Sequence, residues 1–279
     1  MKRWCFILLF IFFSLTFLVS AYLLTDYLLE SKKQQGEFDA LTQIKEQAVS
    51  APKVDISAQT DSAVQDNTEP TAETTLVEVT NPETGEPLYV LPEFTELYKM
   101  NSHIVGWITI DGTAIDYPVM QTPNSADYYL YKNYAKEYSR HGCIYVREAC
   151  DVFAPSDNLT IYGHRMGDGT MFNALHDYAR ADFYEEHRFI TFDTIFEHHT
   201  YEILSVFRLS STVGSPFPYH LFVDAADAEE FDEYIQNCKD YALYETGVTA
   251  SYGDKLITLS TCEYSQVNGR LVVVAKRID

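Results

Sequence analysis

Positive charge is scarce in this sequence. Twenty Lys and Arg stand against 41 Asp and Glu, a formal net charge of −21 over 279 residues. Phosphate binding needs Lys and Arg, so this balance argues against a nucleic-acid partner. Cysteine is sparse too, with five in all, at positions 5, 143, 150, 238 and 262. None forms a CxxC pair, and no Cys/His spacing reads as a zinc site. HExxH and the phosphate-cradling GxxxxGK[ST] are both missing. Asp111-Gly112-Thr113 and Asp168-Gly169-Thr170 are turn signals, and neither extends into an EF-hand loop. No internal repeat is visible. No metal or organic cofactor is called for.

What is present begins with an apolar run. Lys2 and Arg3 precede an uncharged stretch from Trp4 to Thr25, and the first acid is Asp26. A bilayer core takes about 20 apolar residues as helix. The basic pair favours an N-terminus inside and the rest of the chain outside. Residues 1–30 therefore read as an uncleaved transmembrane anchor. A cleaved signal peptide, with Val19-Ser20-Ala21 as its cleavage site, is the alternative. Residues 31–86 read as a polar extracellular stalk. Its first part continues as helix, and the Ser/Thr/Asp/Pro-rich 51–75 buries too little apolar surface to fold alone.

From residue 87 the chain turns dense in aromatic and apolar residues, enough for one domain over 87–279. Tyr (21) and Phe (17) suit a β-rich core. A short helix is predicted at 92–101. Strands are predicted near 106–110, 115–120, 142–147, 158–162, 188–193, 199–209, 254–259 and 270–277. Helices are predicted at 125–134 and 170–186. A long insertion over 211–252 carries another helix, on which Phe231, Tyr234, Ile235 and Cys238 share a face. The acidic run 227–230 reads as a solvated helix face. About eight strands and a few helices predict a mainly β fold closed into a barrel, which removes exposed edges.

Two residues stand out chemically. Cys262 follows the apolar strand 256–259 and precedes a polar loop, a rigid and open place for a nucleophile. A buried small hydrophobe is the plainer reading of such a cysteine. Arg270 opens the partner strand, so a hairpin brings it close. His164, in NLTIYGHRMGDGTMF, lies at a strand mouth before a Gly-rich loop. The other seven histidines have less to mark them; His176 and His187 read as helix-surface residues, and His141 and His220 carry no distinguishing context. Cys143 and Cys150 flank a short segment and are a possible disulfide pair.

Together these segments resemble a known family. TLSTC at 258–262 matches the TLxTC signature of sortases, the cysteine transpeptidases of Gram-positive cell surfaces. Arg270 and Tyr162-Gly163-His164 match that family's arginine and histidine segments. IYGHRMGDGTMFNAL, VGWITIDGTAIDYPVMQ and the helix-bearing insertion are similar to class B members. The resemblance implies an eight-stranded sortase β-barrel with a Cys262–His164–Arg270 site and no metal or cofactor. It implies attack by Cys262 on the Thr carbonyl of a sorting motif, often NPxTx in class B, on secreted proteins. A peptidoglycan-precursor amine then resolves a thioacyl-enzyme. Leu130, Tyr162, Ser260 and Glu263 match class B substrate-pocket positions. Ala126 stands where class B members often have Asn.

Two other functions share these residues. One is a pilin polymerase with a Lys acceptor. The other is a non-catalytic sortase-like domain that binds wall peptides. Asn81-Pro82-Glu83-Thr84-Gly85 itself resembles a sorting motif. It reads either as a plain turn or as a pseudosubstrate.

Overall fold

A computed structural model describes residues 2–50, 76–212, 214–264 and 268–279. The polar segment 51–75 lies outside the described residues. The chain divides into two units, 1–40 and 41–279. Helix α1 (Lys2–Ser50) makes up the described part of the first and opens the second. It is long and apolar enough to cross a membrane.

In the second unit, β1 (Val77–Thr80) and β2 (Pro87–Val90) pair as an antiparallel hairpin. Ordered structure thus reaches into the segment read from sequence as stalk. The sorting-like Asn81–Gly85 is the turn of this hairpin. Asn81 Oδ1 accepts from the amides of Glu83 and Thr84, and the Gly85 amide donates to the Asn81 carbonyl. Gly85 takes a φ of 73°, the conformation for which glycine is suited.

Helix α2 (Thr95–Met100) leads into the barrel strands. These are β3 (Ile104–Thr109), β4 (Asp116–Met120), β5 (Ile144–Val146), β6 (Asn158–Tyr162), β7 (Phe189–Thr194), β8 (Thr200–Ser210), β9 (Leu256–Glu263) and β10 (Gly269–Arg277). They close in the order β10-β8-β7-β3-β4-β5-β6-β9, the eight-stranded barrel the sequence predicts. β4–β5 and β6–β9 pair in parallel, and the other neighbours are antiparallel. Trp107, Phe192, Ile257, Leu259 and Val273 are among the buried core residues.

Two predicted helices differ from expectation. Residues 125–134 hold only a 3-10 turn, Tyr128–Tyr131, preceded by Asp127 at φ 53°. Three tyrosines there favour irregular, packed backbone over helix. The helix predicted over 170–186 is a 3-10 segment, Phe172–Ala179, then α3 (Ala181–Glu186), broken where Arg180 is extended. In the insertion, α4 (Ala228–Asp240) buries Phe231, Tyr234, Ile235 and Cys238 against Phe207, Val272 and Val274. The acidic run before it is more than a solvated face. Asp227 Oδ1 accepts from the Glu230 amide, and Glu230 Oε2 accepts from the Ala226 amide, a reciprocal N-terminal cap. Cys143 and Cys150 are both buried, and this possible pair forms no disulfide.

Candidate active site

The site is built by strand register. β9 and β10 are adjacent and antiparallel, and Cys262 sits directly across from Arg270. Side chains of directly opposed residues project to the same face. β6 and β9 are parallel, with Tyr162 beside Ser260. One step further, the Gly163 amide donates to the Ser260 carbonyl (3.3 Å), and Thr261 Oγ1 donates to the Gly163 carbonyl (2.8 Å). The next residues along the two chains are His164 and Cys262. Neighbouring strands lie about 4.8 Å apart, and the pairing sets these two residues level with each other, both lining one cavity. Gly163 has a steric reason. A Cβ there would meet Ile144 Cδ1 at 2.5 Å and the Phe172 ring at 2.6 Å.

His164, Cys262 and Arg270 line one cavity of about 420 Å³, within the range of ligand pockets. Cys262 is half-buried, whereas Cys143, Cys150 and Cys238 are buried. Three of the four sequence-picked binding positions, Leu130, Tyr162 and Ser260, share the lining. Glu263 does not. It follows Cys262 on the strand and so points to the opposite face. Its charge acts there on His176.

A hydrogen bond holds the His164 ring. Its Nε2 donates to the Leu130 carbonyl at 2.7 Å. A carbonyl only accepts, so Nε2 carries hydrogen in either charge state. Nδ1 is then the position that gains and loses the proton. Burial lowers the His164 pKa; the Leu130 bond opposes this and the nearby His141 adds to it. The ring therefore favours its neutral form more than a free histidine does.

Several lining or supporting residues carry no sequence signal. His176 donates from Nε2 to the Cys262 carbonyl (2.9 Å), although it reads as a helix-surface residue. Tyr219 and His220 enter from the insertion, and Tyr219 OH shares a 2.8 Å hydrogen bond with Ser260 Oγ. Burial pushes the Tyr219 pKa up to about 12, so it stays a neutral hydroxyl. Arg147 donates to the His220 carbonyl at 2.6 Å, pinning that loop. Asp127 lines the cavity and accepts from Tyr145 OH (2.7 Å). Only the helix-bearing insertion hinted that these residues approach the Cys strand. Among the described residues, no group of three or more His, Cys, Asp or Glu is placed to hold a metal ion.

Comparison with known proteins gives one consistent picture. Residues 108–278 match the Sortase domain family. The chain is 33% identical over 192 residues to Sortase B of Staphylococcus aureus, covering 68% of this chain and 76% of that protein. It is 34% identical over 191 residues to Sortase B of Listeria monocytogenes, covering 68% and 75%. The structure of a Staphylococcus aureus sortase B–substrate complex superposes with a TM-score of 0.70 at 27% identity. That match covers 90% of this chain and 99% of that one.

Proposed function

We propose that this chain, which belongs to the sortase family of cysteine transpeptidases, cleaves a sorting motif after its Thr and transfers the protein to a peptidoglycan amine. Cys262, His164 and Arg270 are its catalytic residues in this reading. The observation that carries it is the convergence of these three on one cavity through two strand registers.

The thiolate of Cys262 attacks the Thr carbonyl carbon, and the peptide C–N bond breaks as a thioacyl-enzyme forms. His164 supplies the proton that the leaving amine needs, then takes one from the incoming amine. Arg270 is positioned across the hairpin to stabilise the oxyanion. Leu130, Tyr162 and Ser260 form walls for the peptide. Tyr219 and His220 join them from the insertion. Helix α1 anchors the enzyme in the membrane, N-terminus inside, with the barrel on the outer face near secreted clients. The acidic chain needs no nucleic acid for this work.

The test uses the full chain in detergent with fluorogenic NPxTx and xPxTG peptides. Wild type is expected to cleave at least one and to accumulate a thioacyl adduct by mass spectrometry. Cys262→Ala should show neither. Folded wild-type protein with no adduct on any peptide would overturn the reading.

A further inference from the structure

Two irregular loops meet at His164, and both need restraint. One is the 163–171 loop, which carries the histidine. Its base is closed by the Arg165–Met171 bridge and by the Phe172 amide donating to the His164 carbonyl (2.9 Å). Asp168 lies at its tip, where Oδ1 accepts from the Thr170 amide and hydroxyl. The other loop, between β4 and β5, offers the Leu130 carbonyl that accepts from His164 Nε2. This second loop folds back on itself, with the Ser139 amide on the Tyr131 carbonyl and the Cys143 amide on the Tyr129 carbonyl. Gly142, at φ 59°, packs so tightly that a Cβ would lie 2.4 Å from the Leu130 oxygen.

His141 immediately precedes that glycine and is 1% exposed. Its Nε2 donates to Asp168 Oδ2 at 2.8 Å, while its Nδ1 is buried without a hydrogen-bond partner among the described residues. A buried polar contact of this kind is weak evidence for stability. Here the arrangement is a closed circuit. It runs from His164 along its loop to Asp168, across to His141, through Gly142 to the Leu130 carbonyl, and back to His164.

We propose that His141 and Asp168 are positioning residues for His164, a buried hydrogen-bonded pair that clamps the loop bearing the imidazole to the loop bearing its carbonyl acceptor. The inference rests on the reading of His164 as the proton-transfer group. Around that ring stand Cys262 and Arg270 from the β9–β10 hairpin, Tyr131 from the β4–β5 loop, and Asp127 and His220 elsewhere in the cavity wall. His141 stands behind it and adds to the lowering of its pKa that burial begins. Removing His141 takes that contribution away and shifts His164 the other way.

The experiment measures kcat, KM and the pH profile of kcat/KM for the full chain with a cleaved peptide. The variants are His141→Gln, Asp168→Ala and His164→Ala, each with a thermal melt. A displaced imidazole is expected to lower kcat about 10- to 100-fold in Asp168→Ala with KM within about twofold. In His141→Gln the limb of the profile set by His164 should move to higher pH. Asp168 is the more exposed partner, so its variant keeps the test available if His141→Gln fails to fold. Folded variants with wild-type kcat and profile would overturn the clamp while leaving His164 catalytic. So would losses that track only the folded fraction. An active His164→Ala would instead remove the catalytic reading and the clamp with it.

Discussion

The β9–β10 hairpin and the pair of loops around His164 deliver parts of one site by opposite means. In the hairpin, backbone register does the positioning: Cys262 and Arg270 face each other because their strands pair without slippage from Gly269–Glu263 to Lys276–Leu256. A one-residue slip would turn both side chains to the wrong face, and the buried residues on β9 and β10 forbid it. Around His164 there is no such ladder. Two loops are held by a side chain on a carbonyl, a histidine–carboxylate hydrogen bond and two glycines packed against their neighbours. The strand pair is robust and legible. The loop pair is adjustable and hidden.

Substitutions separate the two modes. The largest effect belongs to the hairpin. Cys262→Ala is expected to lower peptide turnover by about 10³-fold or more, with an unchanged melting temperature. Arg270→Ala should cost about 10²- to 10³-fold in kcat, measured on the same peptide, if it supports the oxyanion. Wild-type rates for either would detach the hairpin from the chemistry.

Next come the loops. Gly142→Ala forces a positive φ and a 2.4 Å approach to the Leu130 oxygen. It is expected to cost about 1–3 kcal/mol of stability and to lower kcat as well. Gly253→Ala is the control. Its φ of 100° is strained too, but nothing lies within 4 Å of the added Cβ. Its melting temperature should fall while kcat holds. Equal kcat losses in both would show that the loops are not specially coupled to the site.

A smaller effect concerns pH. Burial is the largest cause lowering the pKa of His164, His176 and His220. Below the ordinary histidine value of about 6.5 the unfolded chain binds protons that these folded rings resist. Stability therefore falls as pH drops through that window towards the folded values. Melting temperatures at pH 7.5 and 5.5 should show the decline, and His176→Gln should flatten it. The smallest effect is Tyr219→Phe, which removes the hydrogen bond to Ser260 and should cost about 0.5–1.5 kcal/mol. A double-mutant cycle with Ser260→Ala checks that the loss belongs to this pair.

Much of the barrel was legible because its strands are apolar runs with clear ends. The 158–162 strand appears as predicted, those near 188–193 and 199–209 are shifted by one residue at both ends, and that near 270–277 begins one residue earlier. The strand ending in TLSTC runs on to Glu263, four residues past its predicted end, because the cysteine is part of the ladder. The 125–134 segment misled, since its local helix propensity loses to the left-handed Asp127 and to the burial of Tyr129. Glu263 stands outside the cavity lining, because family position says nothing about which face a side chain takes.

By itself, then, the sequence determined the apolar anchor-length helix, the alternating β-rich domain and the three candidate residues at or near strand ends. Those features are local, written in runs, periods and short motifs. Only the tertiary structure decided that His164 and Cys262 line one cavity, because that depends on a parallel pairing between segments nearly a hundred residues apart. The same holds for Tyr219 and His220 in the cavity wall and for the His141–Asp168 contact. Those pairings arise when the barrel closes, and no window along the chain contains both partners.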